Sequence, residues 1–305
     1  MRQLALLLVV AALAGCGGAR RESPPPPPPP VEEELRSTWR LARFSLERRQ
    51  YAQAAALYER VLERAYLMDD EATIGEVAYE LAVVRLRLFE PRRAAELAAL
   101  TRAERRRRGL PPLAELALVE AVARHELGEA DAALQLAAEA EEHGADDPLL
   151  VARIRYLRGQ IAAERGDVAE LARMIGTLAA ARDPELRGHH LELTGRRQLL
   201  AGDFAAAARS LRESAELRQA AEDFTGMARA LALAAEATRR AGDGATAADL
   251  YLRAGRSAQV EGNRLQAEAW LRQARELAQR NDRPILAREA RDLLRALAEA
   301  RATSG

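Results

Sequence analysis

From Leu35 onward, apolar residues recur at helical spacing, and short breakers cut the pattern at intervals of roughly twenty residues. The breakers are Arg49-Gln50, Asp69-Asp70, Glu90-Pro91, 109–112, Gly128-Glu129, 146–148, Gly166-Asp167, Asp183-Pro184, Gly202-Asp203, Glu222-Asp223, Gly242-Asp243, Gly262-Asn263 and 281–284. They divide the chain into about fourteen helices. Several junctions state their own chemistry. Asp147 before Pro148 and Asp183 before Pro184 set a capping carboxylate beside a ring whose missing N–H costs nothing in a first turn. Gly166, Gly202 and Gly242 can take the left-handed position that stops a helix, and the Asp after each can begin the next.

Tight Gly-Asp turns are expected to join the members of a pair, and Pro- or Asp-rich turns to join successive pairs. That alternation predicts about seven antiparallel hairpins between Leu35 and Arg301. Small residues recur where two backbones must approach: Ala42 with Ala54, Ala82 with Ala94, Ala121 with Ala133, Gly195 with Ala207, and Ala235 with Ala247, each pair at the same offset. Gly159 keeps that offset but meets the bulkier Leu171. The sequence has only four Phe, six Tyr and two Trp in 305 residues beside abundant Ala and Leu, which favours closely packed helices over a sheet. One amphipathic hairpin cannot bury its own stripe, so each must stack on the next and the core becomes a ribbon.

On these residues the chain resembles the tetratricopeptide repeat family. The family's small residue on the first helix, small residue on the second and large apolar residue one turn later match Ala42, Ala54 and Tyr58, then Gly195, Ala207 and Leu211, then Ala235, Ala247 and Tyr251. Ser214 is a polar departure where a later small residue belongs, and Thr101 and Leu171 replace small residues in the second and fourth units. The resemblance implies an all-α, right-handed α-solenoid whose first helices line a concave face suited to a peptide, helix or protein partner. It covers most of the chain after residue 35.

The N-terminal segment reads differently. Arg2 is a short basic head, Leu4 to Leu13 are apolar, and Leu13-Ala14-Gly15-Cys16 resembles the lipobox of bacterial lipoproteins, with Cys16 the only cysteine. By that resemblance residues 1–15 form a signal peptide, Cys16 is lipidated, and residues 16–34 form a proline-rich tether. Pro24 to Pro30 are expected to make a polyproline rod of about 3.1 Å per residue. Gly17 after the anchor points, by the same resemblance, to the outer membrane with a periplasm-facing solenoid over 35–301 and a flexible tail over 302–305.

Composition and motifs limit the chemistry. The 46 basic and 46 acidic residues cancel, every basic one is arginine, and no charge excess calls for a nucleic-acid partner. Without lysine there is no phosphate-binding GxxxxGK loop, and no GxSxG elbow or HExxH pair occurs. His189 and His190 point roughly 100° apart on a helix, and His125 and His143 are isolated, so neither a metal nor any cofactor is expected. The expected reading is a non-enzyme.

The candidate partner-binding residues are Tyr58, Tyr79, Arg85, Arg124, Tyr156 and Gln198, from register and spacing, and the run Arg105, Arg106, Arg107 and Arg108 as a patch for acidic partner groups, lipid headgroups or an anionic polymer. That run equally suits the carbonyl end of a helix. Trp39 and Trp270 are expected to cover the open ends, and the last helices to form a cap or a homodimer face. The expected function is a lipid-anchored periplasmic scaffold or adaptor for an envelope protein. The alternative is a solenoid sensor that binds a peptide or small molecule.

Overall fold

Each helix is stopped and restarted by almost the same three residues. At most junctions the middle residue sits in the left-handed region, as at Gly128, Gly166, Gly202, Gly242 and Gly262. Its neighbour turns the next helix on: the carboxylate or amide of Asp70, Asp167, Asp203, Asp223, Asp243 or Asn263 accepts a backbone N–H three residues ahead. Backbone bonds such as Asp167 N–H to the Ala162 carbonyl close the ending helix at the same turn.

The computed structural model describes residues 30–302 and contains, among them, α1 (Pro30–Glu47), α2 (Tyr51–Leu67), α3 (Glu71–Arg87), α4 (Pro91–Arg107), α5 (Ala114–Glu126), α6 (Ala130–His143), α7 (Pro148–Arg165), α8 (Val168–Leu178), α9 (Pro184–Ala201), α10 (Phe204–Ala220), α11 (Phe224–Arg240), α12 (Gly244–Val260), α13 (Arg264–Arg280) and α14 (Pro284–Ala302). Sequence neighbours pack along the whole chain, as an antiparallel-hairpin solenoid requires. From α3 to α11 odd-numbered helices also approach one another, α3 with α5, α5 with α7, α7 with α9 and α9 with α11, which puts them on the inner side of the curve there, whereas at the C-terminal end α12 approaches α14.

The offset pairs of small residues lie where the hairpins close. Ala42, Ala54, Ala82, Ala94, Ala121, Ala133, Ala207, Ala235 and Ala247 are fully buried, as is Leu171. Gly159 is small because a Cβ there would lie 2.4 Å from a methyl of Leu193 on α9.

Two boundaries differ from the sequence reading. The last proline of the tract, Pro30, begins α1 instead of extending the tether, because a proline loses no hydrogen bond at a helix's first position. The remaining tract, the signal-like segment, Cys16 and residues 303–305 lie outside the described residues. Turn type also fails to alternate with pairing. Arg49, Phe89 and Asp282 take the left-handed position inside pairs, and Gly262 takes it between pairs. A left-handed residue followed by a cap reverses the chain equally well on either edge; the longer joins, 108–113, 144–147 and 179–183, do fall between pairs.

Two glycines separate packing from propensity. A Cβ on Gly195 would stand 2.5 Å from Leu211 Cγ, whereas one on Gly176 would meet nothing within 4 Å. Gly195→Ala is expected to cost about 1–3 kcal/mol by overpacking. Gly176→Ala should stabilise the exposed helix by roughly 0.5–1 kcal/mol. Urea unfolding of both variants checks this, and equal effects would contradict the close approach of α9 and α10.

Candidate functional site

The apolar ribbon is divided into four buried clusters, and the most polar of the breaks lies near the middle of the chain. One buried cluster ends at Leu193 on α9 and the next takes over with Ala207 on α10. Between α7, α9, α10 and α11 the buried side chains are Tyr156, Gln160, His189, Glu192, Ser214 and Arg218. Burying charge without partners would cost several kcal/mol per ion, so the partners define the site.

Arg218, 1% exposed, is held from three sides. Its Nη2 donates to the Tyr156 hydroxyl at 2.8 Å and to Glu192 Oε2 at 2.9 Å, while Nη1 donates to Asp223 Oδ2 at 2.5 Å. Tyr156 in turn donates to Glu192 Oε2 at 2.7 Å, and Arg196 Nε donates to Glu192 Oε1 at 3.1 Å. Gln160 donates to the Tyr156 hydroxyl at 3.0 Å. The His189 ring stacks on Tyr156 with centroids 3.8 Å apart.

Glycine supplies the room. A Cβ on Gly226 would fall 2.2 Å from Arg218 Nη1 and 2.0 Å from Asp223 Oδ2, so the ion pair occupies the space of a missing side chain. Gly188 lets the Arg218 stem pass, and its carbonyl accepts from the Ser214 hydroxyl at 2.8 Å. Ser214, a polar departure from the repeat pattern, therefore ties α10 to α9.

Burial alone would raise the Glu192 carboxyl, but Arg229, Arg218 and Arg196 together hold it well below the usual carboxylate range. Asp223 is likewise lowered: burial opposes the shift, and Arg218 and the Gly226 N–H overcome it. Burial, then the charge of Arg218, pushes His189 down to about 3, so the ring is neutral. Burial pushes the Tyr156 phenol up to about 12.

Arg229, on α11, is the arginine that makes no hydrogen bond to the cluster, although Arg218 Nε and His189 Nδ1 are also buried without a partner. The Arg229 Nε is buried and has no hydrogen-bond acceptor, and its nearest carboxylate oxygen, Glu192 Oε1 at 3.7 Å, is already taken by Arg196. Its side chain is nevertheless 39% exposed. The Nε end is thus buried while the rest of the side chain opens onto a hollow between the helices. Arg229 also acts on Glu126, whose carboxyl burial raises against the pull of Arg229, His125 and Arg87. Next to Arg229 a groove of about 630 Å³ runs between α11, α12 and α13, with Leu233, Glu236, Tyr251, Trp270 and Leu277 among its walls.

The residues singled out in the sequence are scattered. Tyr58 is wholly buried in the first core, out of reach of a partner, because its ring fills the space between the first two hairpins. Tyr79 is half-buried and faces the field of Arg153 and Glu115. Arg85 is bound to Glu59 and Glu90, and Arg124 to Glu120 and Glu129. Gln198 accepts from Ser210 at 2.9 Å, within the α9–α10 hairpin.

The arginine run is largely consumed inside the molecule. Arg105 donates to the Pro111 carbonyl, Arg108 binds Asp69, Glu71 and Glu104, and Arg106 lies 4.0 Å from Glu139. Arg107 remains exposed. Of the earlier residues only Tyr156 enters the buried network. Trp39 donates to Glu80 at the first hairpin, and Trp270 lines the groove.

Among the described residues no three His, Cys, Asp or Glu are grouped to hold a metal ion, and no helix is long and apolar enough to cross a membrane. His190 Nδ1 lies 3.3 Å from the Ile175 carbonyl, and His125 Nε2 lies 2.8 Å from Glu164.

Protons therefore enter the network as stability. In the unfolded chain a histidine titrates near 6.5, roughly, and a glutamate near 4.3. The folded values are lower, so the stabilisation is complete above the unfolded values and is lost as pH falls. His189→Phe keeps the ring stack and should make the slope of unfolding free energy between about pH 6 and 4 shallower by up to ~1.4 kcal/mol per unit. An unchanged slope in urea titrations would contradict the buried neutral ring. Glu192→Gln, which leaves three arginines facing a neutral amide, should cost about 3–5 kcal/mol at pH 7.

Compared by sequence, the chain matches no family model and no curated protein. In structure it is similar to the apo form of the quorum sensor NprR from B. thuringiensis, 12% identical, over 87% of each chain with a TM-score of 0.56. It is also similar to a tetratricopeptide repeat protein from Parabacteroides merdae, 10% identical, over 85% of this chain and 99% of that one, TM-score 0.49. A third likeness is the TPR2AB domain of yeast Sti1 in complex with pHSP90, 14% identical, over 88% and 99%, TM-score 0.37. One expectation is corrected: with the fold shared by a quorum sensor, the outer-membrane, periplasm-facing placement is withdrawn. Its fold is a tetratricopeptide-like all-α solenoid, distantly similar to known repeat proteins of that kind.

Proposed function

We propose that the chain is a solenoid sensor that binds a short peptide on its inner face, with a carboxylate of the peptide on Arg229. The observation that carries the reading is the unanswered Nε of Arg229, a permanent cation whose neighbouring acid is saturated by other donors. Arginine suits this role because its planar fork can grip both oxygens of a carboxylate. The wall beside it supplies the rest of a peptide site. Leu233, Trp270 and Leu277 offer apolar surface for one or two side chains, and Tyr251 and Glu236 give a polar edge.

The likeness to a quorum sensor supports a sensing role only as a likeness of fold. The scaffold reading shares the partner-binding premise but needs no charged cavity of this kind. A hollow that surrounds a cation suits a small segment better than a flat protein surface.

Fluorescence anisotropy with a labelled pool of short peptides, half carrying Asp, Glu and a free C-terminus and half neutral and amidated, tests the reading. The acidic half should bind selectively. Arg229→Gln should weaken it roughly 10- to 100-fold, the loss of one charge-assisted bond. Trp270→Ala should weaken both carboxylate-bearing and apolar contributions, while the exposed Arg173→Gln should change nothing. Equal binding of the two halves, or an indifferent Arg229→Gln, overturns the proposal.

A further inference from the structure

The first hairpin touches the second half of the chain through one residue. Arg49, in the turn between α1 and α2, donates to the Glu222 carbonyl, lies over the Phe224 ring at 4.4 Å, and reaches Glu261 at 3.5 Å. Glu222 and Phe224 flank the start of α11, and Glu261 ends α12, so one guanidinium bridges two turns that are themselves far along the sequence. A second strut runs beside it, from Arg87 to Asp223 at 3.9 Å. Glu261 is also 3.5 Å from the Thr225 hydroxyl, which keeps the acceptor near α11.

The backbone at this contact is costly. Six other turns place glycine at the left-handed position and three place Asp69, Phe89 or Asp282 there, while Arg49 holds φ 59° and Glu222 holds φ 57°. Those two residues are the ones that meet. A residue with a long reach in place of glycine, opposite another non-glycine turn, has a physical rationale as a tie.

We propose that Arg49 is a latch that holds the first hairpin against the α10–α11 and α12–α13 turns, and that its release opens the hollow in which Arg229 stands. Arg229 lies six residues beyond Asp223 and Phe224's turn on α11, about 9 Å along the axis. Closure therefore acts on the same helix as the proposed ligand contact. Asp223 is shared between the strut to Arg87 and the buried Arg218, so the latch joins the rigid network at an already ordered carboxylate. The gating of a ligand rests on the peptide reading above; the latch itself does not.

Distance measurement by double electron–electron resonance on the ligand-free full chain tests the latch. Spin labels go on Arg40→Cys and Leu265→Cys, both exposed, in a Cys16→Ser background. Arg49→Gly removes the side chain while suiting the left-handed backbone, so the turn itself is not penalised. The parent should give one narrow distribution, and Arg49→Gly a longer and broader one, with helical content by circular dichroism unchanged. Identical distributions overturn the latch whatever the fate of the peptide site. Where the acidic peptides bind, Arg49→Gly should also speed their dissociation about tenfold; an unchanged dissociation rate with an altered distance removes the gating and leaves the tie.

Discussion

Arg218 cannot give up its charge, and that constraint organises the middle of the molecule. A buried lysine or glutamate can shed its charge by shifting its pKa, whereas a guanidinium must be met by acceptors at whatever cost to packing. The surrounding sequence answers it position by position. Glu192 and Asp223 supply charge, Tyr156 supplies a hydroxyl that accepts from Arg218 and donates to Glu192, and Gly226 and Gly188 clear the volume. Replacing such a cluster by apolar residues would make a simpler core. Its presence at a break between two apolar clusters fixes how α7, α9, α10 and α11 sit, and therefore where Arg229 is left.

Arg229 gains its character from this arrangement. Three arginines compete for Glu192 beside the Tyr156 hydroxyl, and the two that reach it in hydrogen-bond geometry, Arg218 and Arg196, leave the third at 3.7 Å. A surplus cation held by the same field that orders its neighbours is already desolvated in part, so a carboxylate arriving there loses less in ordering the site than it would at a free arginine. Surface pairs elsewhere, such as Arg272 with Glu268 on α13, have no comparable environment and little energetic weight.

The fold was legible because its signal is periodic. Ala42 with Ala54 and Ala235 with Ala247 are spaced by a fixed geometric need, and every hairpin repeats that need, so a single sequence contains many copies of the evidence. Turn pairing was not legible, since Gly262 and Arg49 serve the same left-handed conformation on opposite edges of the solenoid. The network was hidden for another reason. Tyr156, Glu192 and Arg218 are separated by more than thirty residues or by several turns of helix, and arginine and glutamate are too common here to stand out. Ser214 was the trace available: a polar residue at a position the repeat pattern reserves for a small one. The arginine run from Arg105 to Arg108 shows the converse, since local charge density says nothing about the acids that folding brings from α3 and from the preceding turn.

A solenoid made of nearest-neighbour contacts is compliant along its length, because each hairpin knows only the hairpins beside it. Contacts between distant hairpins change that mechanics. Arg49 and Arg87 connect the first two units to the start of α11, and the buried cluster stiffens the units in between. What remains soft is the relation between those two rigid parts, governed by a few side chains at the protein surface where water and salt can compete. Binding in the hollow and closure across it therefore draw on the same small set of charges, so an occupant that favours the closed arrangement needs only a modest difference in contact energy to shift the balance.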